Sequence, residues 1–233
     1  MGKKHVVILA DGNFPQTAYP LSLLHTADII ICCDGSIVKL LKYTNLQADY
    51  IVGDMDTLDH ENKIRFKDII HHNPDQETND QTKAFHFALT LAPTRISILG
   101  ATGGREDHTL GNISLLADYT QELADYSKGL KEFGHLPFEP SIEIVTDHGV
   151  FNSYSDSCTI ESEPGEQVSI FAFDPTLKIK SAGLKYPTDS VTFDLWWKAT
   201  LNESLSNKFS LELSHPSRIL VFRLNKEHTN HRS

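Results

Sequence analysis

Residues 28–35 read DIIICCDG and residues 50–57 read YIVGDMDT. Each is a run of Ile, Val or Cys that stops abruptly at a carboxylate. A strand with one wet face alternates apolar with polar residues. A strand covered on both faces need not, and cover on both faces is the mark of a parallel sheet flanked by helices. Working outward, comparable runs lie at residues 5–10 and 95–100, with a short one near 69–71. Amphipathic stretches separate them. The clearest are 79–91, where Ala84, Phe85, Ala88 and Leu89 form one stripe, and 108–119, where Ile113, Leu116 and Tyr119 do the same. The expectation for residues 1–130 is an α/β domain, a three-layer, doubly wound, mostly parallel sheet.

From residue 141 the texture changes. Short runs of alternating polarity at 141–146, 167–173, 177–180, 209–213 and 218–224 are punctuated by Gly, Pro and Asp. Residues 140–225 are expected to form an antiparallel β-sandwich, with the boundary in the polar stretch 121–140. The polar tail 225–233 is expected to fray. Its His228 and His231 lack neighbouring ligand residues and read as solvated.

A formal charge of −10 argues against nucleic acid, whose phosphates are held by a surplus of Lys and Arg. An acidic chain binds a polyphosphate when a divalent cation bridges the two sets of negative charge. No apolar run approaches the ~20 residues that cross a bilayer, and residues 1–5 lead into a strand with no cleavage-site pattern. Of three cysteines, Cys32 and Cys33 are adjacent on opposite faces of one strand, so no disulfide framework is expected. These features together predict a cytoplasmic protein without membrane or nucleic-acid partners.

In open α/β sheets ligands bind outside the carboxyl ends of the strands, so polar residues that directly follow a strand are the first candidates. Four places qualify. Asp34-Gly35 ends one strand, and Gly53-Asp54-Met55-Asp56 ends the next. If the chain is extended there, Asp54 and Asp56 share a side, and two such carboxylates suit Mg²⁺. Asp56 could equally cap a helix starting near Leu58. Asp75-Gln76-Glu77-Thr78-Asn79-Asp80 leads into a helix carrying Lys83, with Thr78 and Gln81 spaced as a capping box. The last is the segment from Gly100 to His108, a glycine-rich turn into a helix. Its free amides and Arg105 suit a phosphate, with His108 and Asn112 sharing a face; Asp107 could also be an N-cap. Neither a Walker P-loop nor a dinucleotide fingerprint is present.

Taken in this order, Asp34-Gly35, Gly53-Asp54-Met55-Asp56-Thr57, Asp75-Gln76-x-Thr78-x-Asp80 and Gly103-Gly104-Arg105-x-Asp107-His108 with Asn112 resemble the motif set of thiamine pyrophosphokinases. Gly183-Leu184-Lys185-Tyr186-Pro187 and Ser206-Asn207 resemble two signatures of that family's β-rich, vitamin-binding domain. The resemblance implies a homodimer that transfers the pyrophosphoryl group of ATP to the thiamine hydroxyl and releases AMP. It implies Asp34, Asp54, Asp56 and Asp80 around Mg²⁺ and the phosphates; on mechanistic grounds one of Asp54, Asp56 and Asp80 is also expected to accept the hydroxyl proton. Arg105, Asp107, His108 and Asn112 fall around ATP, and Gln76, Ser206 and Asn207 near thiamine. This chain departs from the family pattern at Ser36, Met55, Thr57 and Asn79. Two rival readings are a pyrophosphokinase for another hydroxymethyl heterocycle, such as a pterin, and a binding module without turnover. Tyr186 or Trp196 could stack on the thiazolium cation, although one of Trp196 and Trp197 is expected in the sandwich core.

Overall fold

The computed structural model describes residues 3–132 and 139–225. The tail residues 226–233, with His228 and His231, and residues 133–138 of the boundary stretch lie outside the described residues. The chain divides into two compact units, Met1–Asp147 and His148–Ser233.

In the first unit, strands β1 (His5–Leu9), β2 (Ile29–Cys33), β3 (Tyr50–Gly53), β4 (Ile70–His72), β5 (Arg95–Leu99) and β6 (Ser141–Val145) form a sheet in the order β6-β5-β1-β2-β3-β4. Every pairing among them is parallel. The connections carry helices α1 (Ala18–His25), α2 (Ser36–Tyr43), α3 (His60–Arg65), α4 (Asp80–Thr90) and α5 (Glu106–Glu132). Val6, Val7, Ile8 and Leu9 are all buried, which requires cover on both faces of the strand because successive side chains point opposite ways. Helix α4 packs against β1, β2 and β3, and α5 against β6. The two helices also meet each other, with Phe85 stacked on Tyr119 at 4.3 Å and the Tyr119 hydroxyl 2.7 Å from Thr82 Oγ1. The chain builds outward from β1 to β4, then returns across β1 to lay down β5 and β6. The reversal between β1 and β5 opens the kind of crevice that binds ligands in such sheets.

Two expectations change. The strand at residues 141–145, expected among the antiparallel ones, pairs parallel with β5 and belongs to the first unit. Its alternation has a specific cause: Glu143 turns into a polar cluster, accepting from Arg95 Nε at 2.9 Å and Ser97 Oγ at 2.8 Å, while Ile142, Ile144 and Val145 are buried. The polar stretch after residue 121 is not a linker from its start, because α5 continues through it to Glu132.

The second unit contains β7 (Gly149–Tyr154), β8 (Cys158–Glu161), β9 (Gln167–Ala172), β10 (Ile179–Ala182), β11 (Ala199–Glu203), β12 (Lys208–Leu213) and β13 (Ile219–Leu224). They form antiparallel sheets β11-β9-β13-β7 and β10-β12-β8. Ile170 and Val221 from the first sheet share one buried cluster with Ile179, Phe209 and Leu211 from the second, so the sheets face each other as a sandwich. Neither tryptophan enters that core. Trp196 and Trp197 are both exposed, with Trp196 stacked on Phe173. No helix among the described residues is long and apolar enough to cross a membrane.

Candidate functional site

Asp34 follows β2, Asp54 follows β3 and Asp80 opens α4. These three bring one carboxylate oxygen each within 4.8 Å of one another. The local backbone is bent to achieve this. Asp34 and Met55 have φ of 36° and 65°, in the left-handed region that L-residues other than Gly seldom adopt. Gly53 gives the approach its room, since a Cβ there would stand 3.1 Å from both Asp34 Cβ and Asp80 Oδ1.

The turn at Met55 also overturns one geometric expectation. Because residues 54–56 are not extended, Asp56 does not share a side with Asp54; it is exposed, and its amide folds back onto Asp54 Oδ1 at 3.1 Å. Asp56 is no helix cap either, for α3 is capped by Asp59, whose carboxylate accepts from the Asn62 amide. The capping box slips by one residue as well. Asn79, not Thr78, caps α4 through the Thr82 amide at 2.9 Å, and Thr78 Oγ1 donates to Asp75 Oδ2.

Asp34 is buried, and its Oδ2 accepts from the Thr57 amide at 2.9 Å. Its Oδ1 is buried with no hydrogen-bond partner among the described residues. An acceptor left in that state costs roughly 1–3 kcal/mol, and more for a charged group, unless something positive meets it. A set of hard carboxylate oxygens around such an atom fits Mg²⁺. Lys83 Nζ reaches Asp80 Oδ1 at 3.1 Å and Asp54 Oδ2 at 3.4 Å, and Gln76 Nε2 reaches Asp54 Oδ2 at 3.3 Å. Burial pushes the Asp80 carboxyl above its ordinary range, with the charges of Asp54 and Asp34 adding to it against Lys83. At Asp54 burial also pushes upward. Hydrogen bonds from the Asp56 amide, Lys83 and Gln76 outweigh it and hold that carboxyl low.

The loops after β1 and β5 are zipped together, with Gly12 N donating to Gly100 O and Asn13 N to Thr102 O, both at 2.8 Å. Gly103 has φ of 70° and lies so close to Asn13 that a Cβ would collide with that side chain, so the turn requires glycine. Arg105 and Asp107 form a two-bond exposed pair, Nη2–Oδ2 2.6 Å and Nε–Oδ1 3.1 Å, and the His108 amide donates to Asp107 Oδ1. Exposed charges of this kind are held weakly and can be exchanged for an incoming phosphate. Asn112 ties three segments together: its Nδ2 donates to Ala101 O, its Oδ1 accepts from Asn79 Nδ2, and its carbonyl accepts from Gln81.

Asp11, Lys39 and Lys83 also belong to this region, although none of them stands out as a site residue in the sequence. Asp11-Gly12 follows β1 just as Asp34-Gly35 follows β2, which was the available signal. Lys39 Nζ pairs with Asp11 Oδ1 at 2.8 Å and donates to the carbonyls of Asp11 and Gly12, fixing that loop.

In the second unit the two signature segments come together. Leu205 N donates to Gly183 O at 2.8 Å, Lys185 N to Glu203 O, and Asn202 brackets both backbone groups of Tyr186. Ser206 Oγ donates to Lys208 O at 2.7 Å, and the Asn207 carbonyl accepts from the Ser162 amide. Both residues are exposed in the turn between β11 and β12.

The sequence matches two families described as "Thiamin pyrophosphokinase, catalytic domain" over residues 21–125 and "Thiamin pyrophosphokinase, substrate-binding domain" over residues 149–222. The chain belongs to the thiamin pyrophosphokinase family. Among curated relatives, thiamine pyrophosphokinase 1 of Oryza sativa subsp. japonica is 37% identical over 136 residues, covering 48% of this chain and 51% of that protein. The chain spans about half the length of the curated relatives it matches. Solved thiamin pyrophosphokinases share its fold. The Bacillus subtilis structure covers 96% of this chain and 100% of its own at 22% identity and a TM-score of 0.71. The Candida albicans structure covers 95% and 89% at 20% identity and a TM-score of 0.73.

Proposed function

We propose that this member of the family is a thiamine diphosphokinase, moving the pyrophosphoryl group of ATP to the hydroxyl of thiamine and releasing AMP. The observation that carries the reading is the convergence of Asp34, Asp54 and Asp80 at the carboxyl ends of the parallel strands, around a buried oxygen without a partner among the described residues. Such a transfer needs positioning and charge neutralisation more than covalent help from the protein. Bound Mg²⁺ would supply neutralisation of the phosphate charge.

The chain's own residues have the remaining work. Asp34, Asp54 and Asp80 would hold the ion, with Asp56 on the turn that follows Asp54. Arg105 exchanges Asp107 for phosphate oxygens, and Asp107, His108 and Asn112 border the nucleotide. Gln76, already on Asp54, orients the acceptor, and Ser206 and Asn207 of the second unit contact thiamine. The acceptor oxygen attacks the β-phosphorus as the bond to the α-phosphate oxygen breaks. One of Asp54, Asp56 and Asp80 takes the hydroxyl proton. A cytoplasmic setting accords with free Cys32, Cys33 and Cys158. A homodimer belongs to the same proposal, and sedimentation of the purified chain tests it.

Chromatography of a reaction containing the protein, thiamine, ATP and Mg²⁺ tests the transfer, with EDTA and no-thiamine controls. Equal amounts of AMP and thiamine diphosphate, abolished by EDTA, are expected. ADP in place of AMP would refute pyrophosphoryl transfer, and no product would refute thiamine as acceptor.

A further inference from the structure

Lys83 is an unusual residue for its place. It lies in the first turns of α4, where the helix dipole disfavours a cation, and its side chain is only 2% exposed. Its neighbours Ala84 and Phe85 and the following Ala88 are buried apolar residues, so packing alone would be served by an aliphatic side chain. Burying an ammonium is costly unless it is paired. Its ion partners are Asp80 and Asp54, two members of the aspartate cluster. The aspartates contribute three negative charges and Lys83 one positive, leaving a deficit that one divalent ion cancels.

We propose that Lys83 is the resident cation of the cluster: it offsets part of the charge of Asp54 and Asp80 when no ion is bound and, by competing for the same oxygens, sets how tightly a divalent ion is held. The proposal rests on reading the cluster as a cation site. It assigns Lys83 two opposed effects, stabilising the ion-free chain and weakening ion binding. A lysine serving only to keep the site in shape would do the reverse of the second, because its loss would scatter the ligands and weaken binding.

The test compares wild type with Lys83→Met, a substitution of similar length without the charge. Two quantities are measured: the thermal midpoint in EDTA, and the affinity for Mn²⁺ alone by electron paramagnetic resonance, with Mg²⁺ as competitor. The expected result is a lower ion-free midpoint together with Mn²⁺ bound about tenfold more tightly, or better, because the ion no longer faces a nearby like charge. Unchanged or weaker binding in the variant overturns the role of Lys83. Absence of Mn²⁺ binding by wild type overturns the cation site itself, and the two failures are thus told apart. If Lys83→Met does not fold without an ion, the pair Lys83→Met with Asp54→Asn restores the original charge of the cluster. A double variant that folds in EDTA supports the proposal, and one that, like the single variant, fails to fold there overturns it.

Discussion

At the scale of single residues, the site is a problem of bringing like charges together, and the chain solves it with one lysine and a few strained turns. Asp34 is the member most committed to a cation, since its side chain is enclosed and one oxygen is left without a donor among the described residues. Asp34→Asn, which keeps the shape and removes the charge, is expected to lower product formation at least about 100-fold at saturating thiamine while retaining the fold. Turnover at rising Mg²⁺ beside a circular-dichroism melt checks this, and near-normal turnover would remove Asp34 from the site. Of the site residues, Asp34 and Asp54 were legible as candidates because each directly follows a recognisable strand, and Asp80 because it opens a helix; Gln76 lies inside a loop, and its role was named only by the family resemblance. The turning of Asp56 away from Asp54 was not legible, because it depends on the positive φ of Met55, a residue type that gives no warning of such a turn. Lys39 acts through Asp11, and Lys83 through Asp54 as well as its helix neighbour Asp80; only the fold brings Asp11 and Asp54 near.

At the scale of elements, α4 is the member that organises the site, presenting Asp80 and Lys83 on one side and Thr82 to Tyr119 of α5 on another. Its cap, Asn79, has a double duty: Oδ1 holds the Thr82 amide and Nδ2 holds Asn112. Replacing Asn79 by Ala is expected to cost about 1 kcal/mol of stability for the lost cap. It is also expected to raise KM for ATP more than it lowers kcat, since Asn112 loses a tether while the aspartates remain. Urea melts and steady-state kinetics check both, and an unchanged melting curve would show the cap to be idle. The strands of the parallel sheet were readable from their unbroken apolar runs. The strand β6 was readable as a strand but not as a parallel one, because Glu143 imitates the polar face of a solvated sheet while serving an internal cluster. The far end of α5 was obscured by its polarity, which suits a long helix covered on one side only.

At the scale of the whole molecule, pH acts on the first unit through that same internal cluster. His5 Nε2 lies 2.9 Å from Ser97 Oγ, among Arg95, Glu143 and Asp28. Burial, and then the charge of Arg95, lower its pKa below the ordinary 6.5, with Glu143 and Asp28 opposing. The unfolded chain therefore takes up a proton at His5 before the folded chain does. Its contribution to stability is complete above pH 6.5 and declines as pH falls below that value. Urea midpoints at descending pH are expected to fall less steeply for His5→Gln than for wild type, and parallel slopes would rule His5 out. The strand order has a second consequence. Since β6 and Asp147, which accepts from the Gln16 and Thr17 amides that begin α1, come after α5 in the chain, the first unit is completed by its last residues. A fragment ending at residue 130 would leave β5 as an open border, with the backbone groups that now pair to Ile142 and Ile144 offered to any other strand. Such a fragment is expected to self-associate more strongly than one ending at 147 in light scattering, because β5 is a largely apolar strand while β6 carries Glu143. Proteolysis or premature termination between these points would thus yield an aggregating species instead of a smaller working domain.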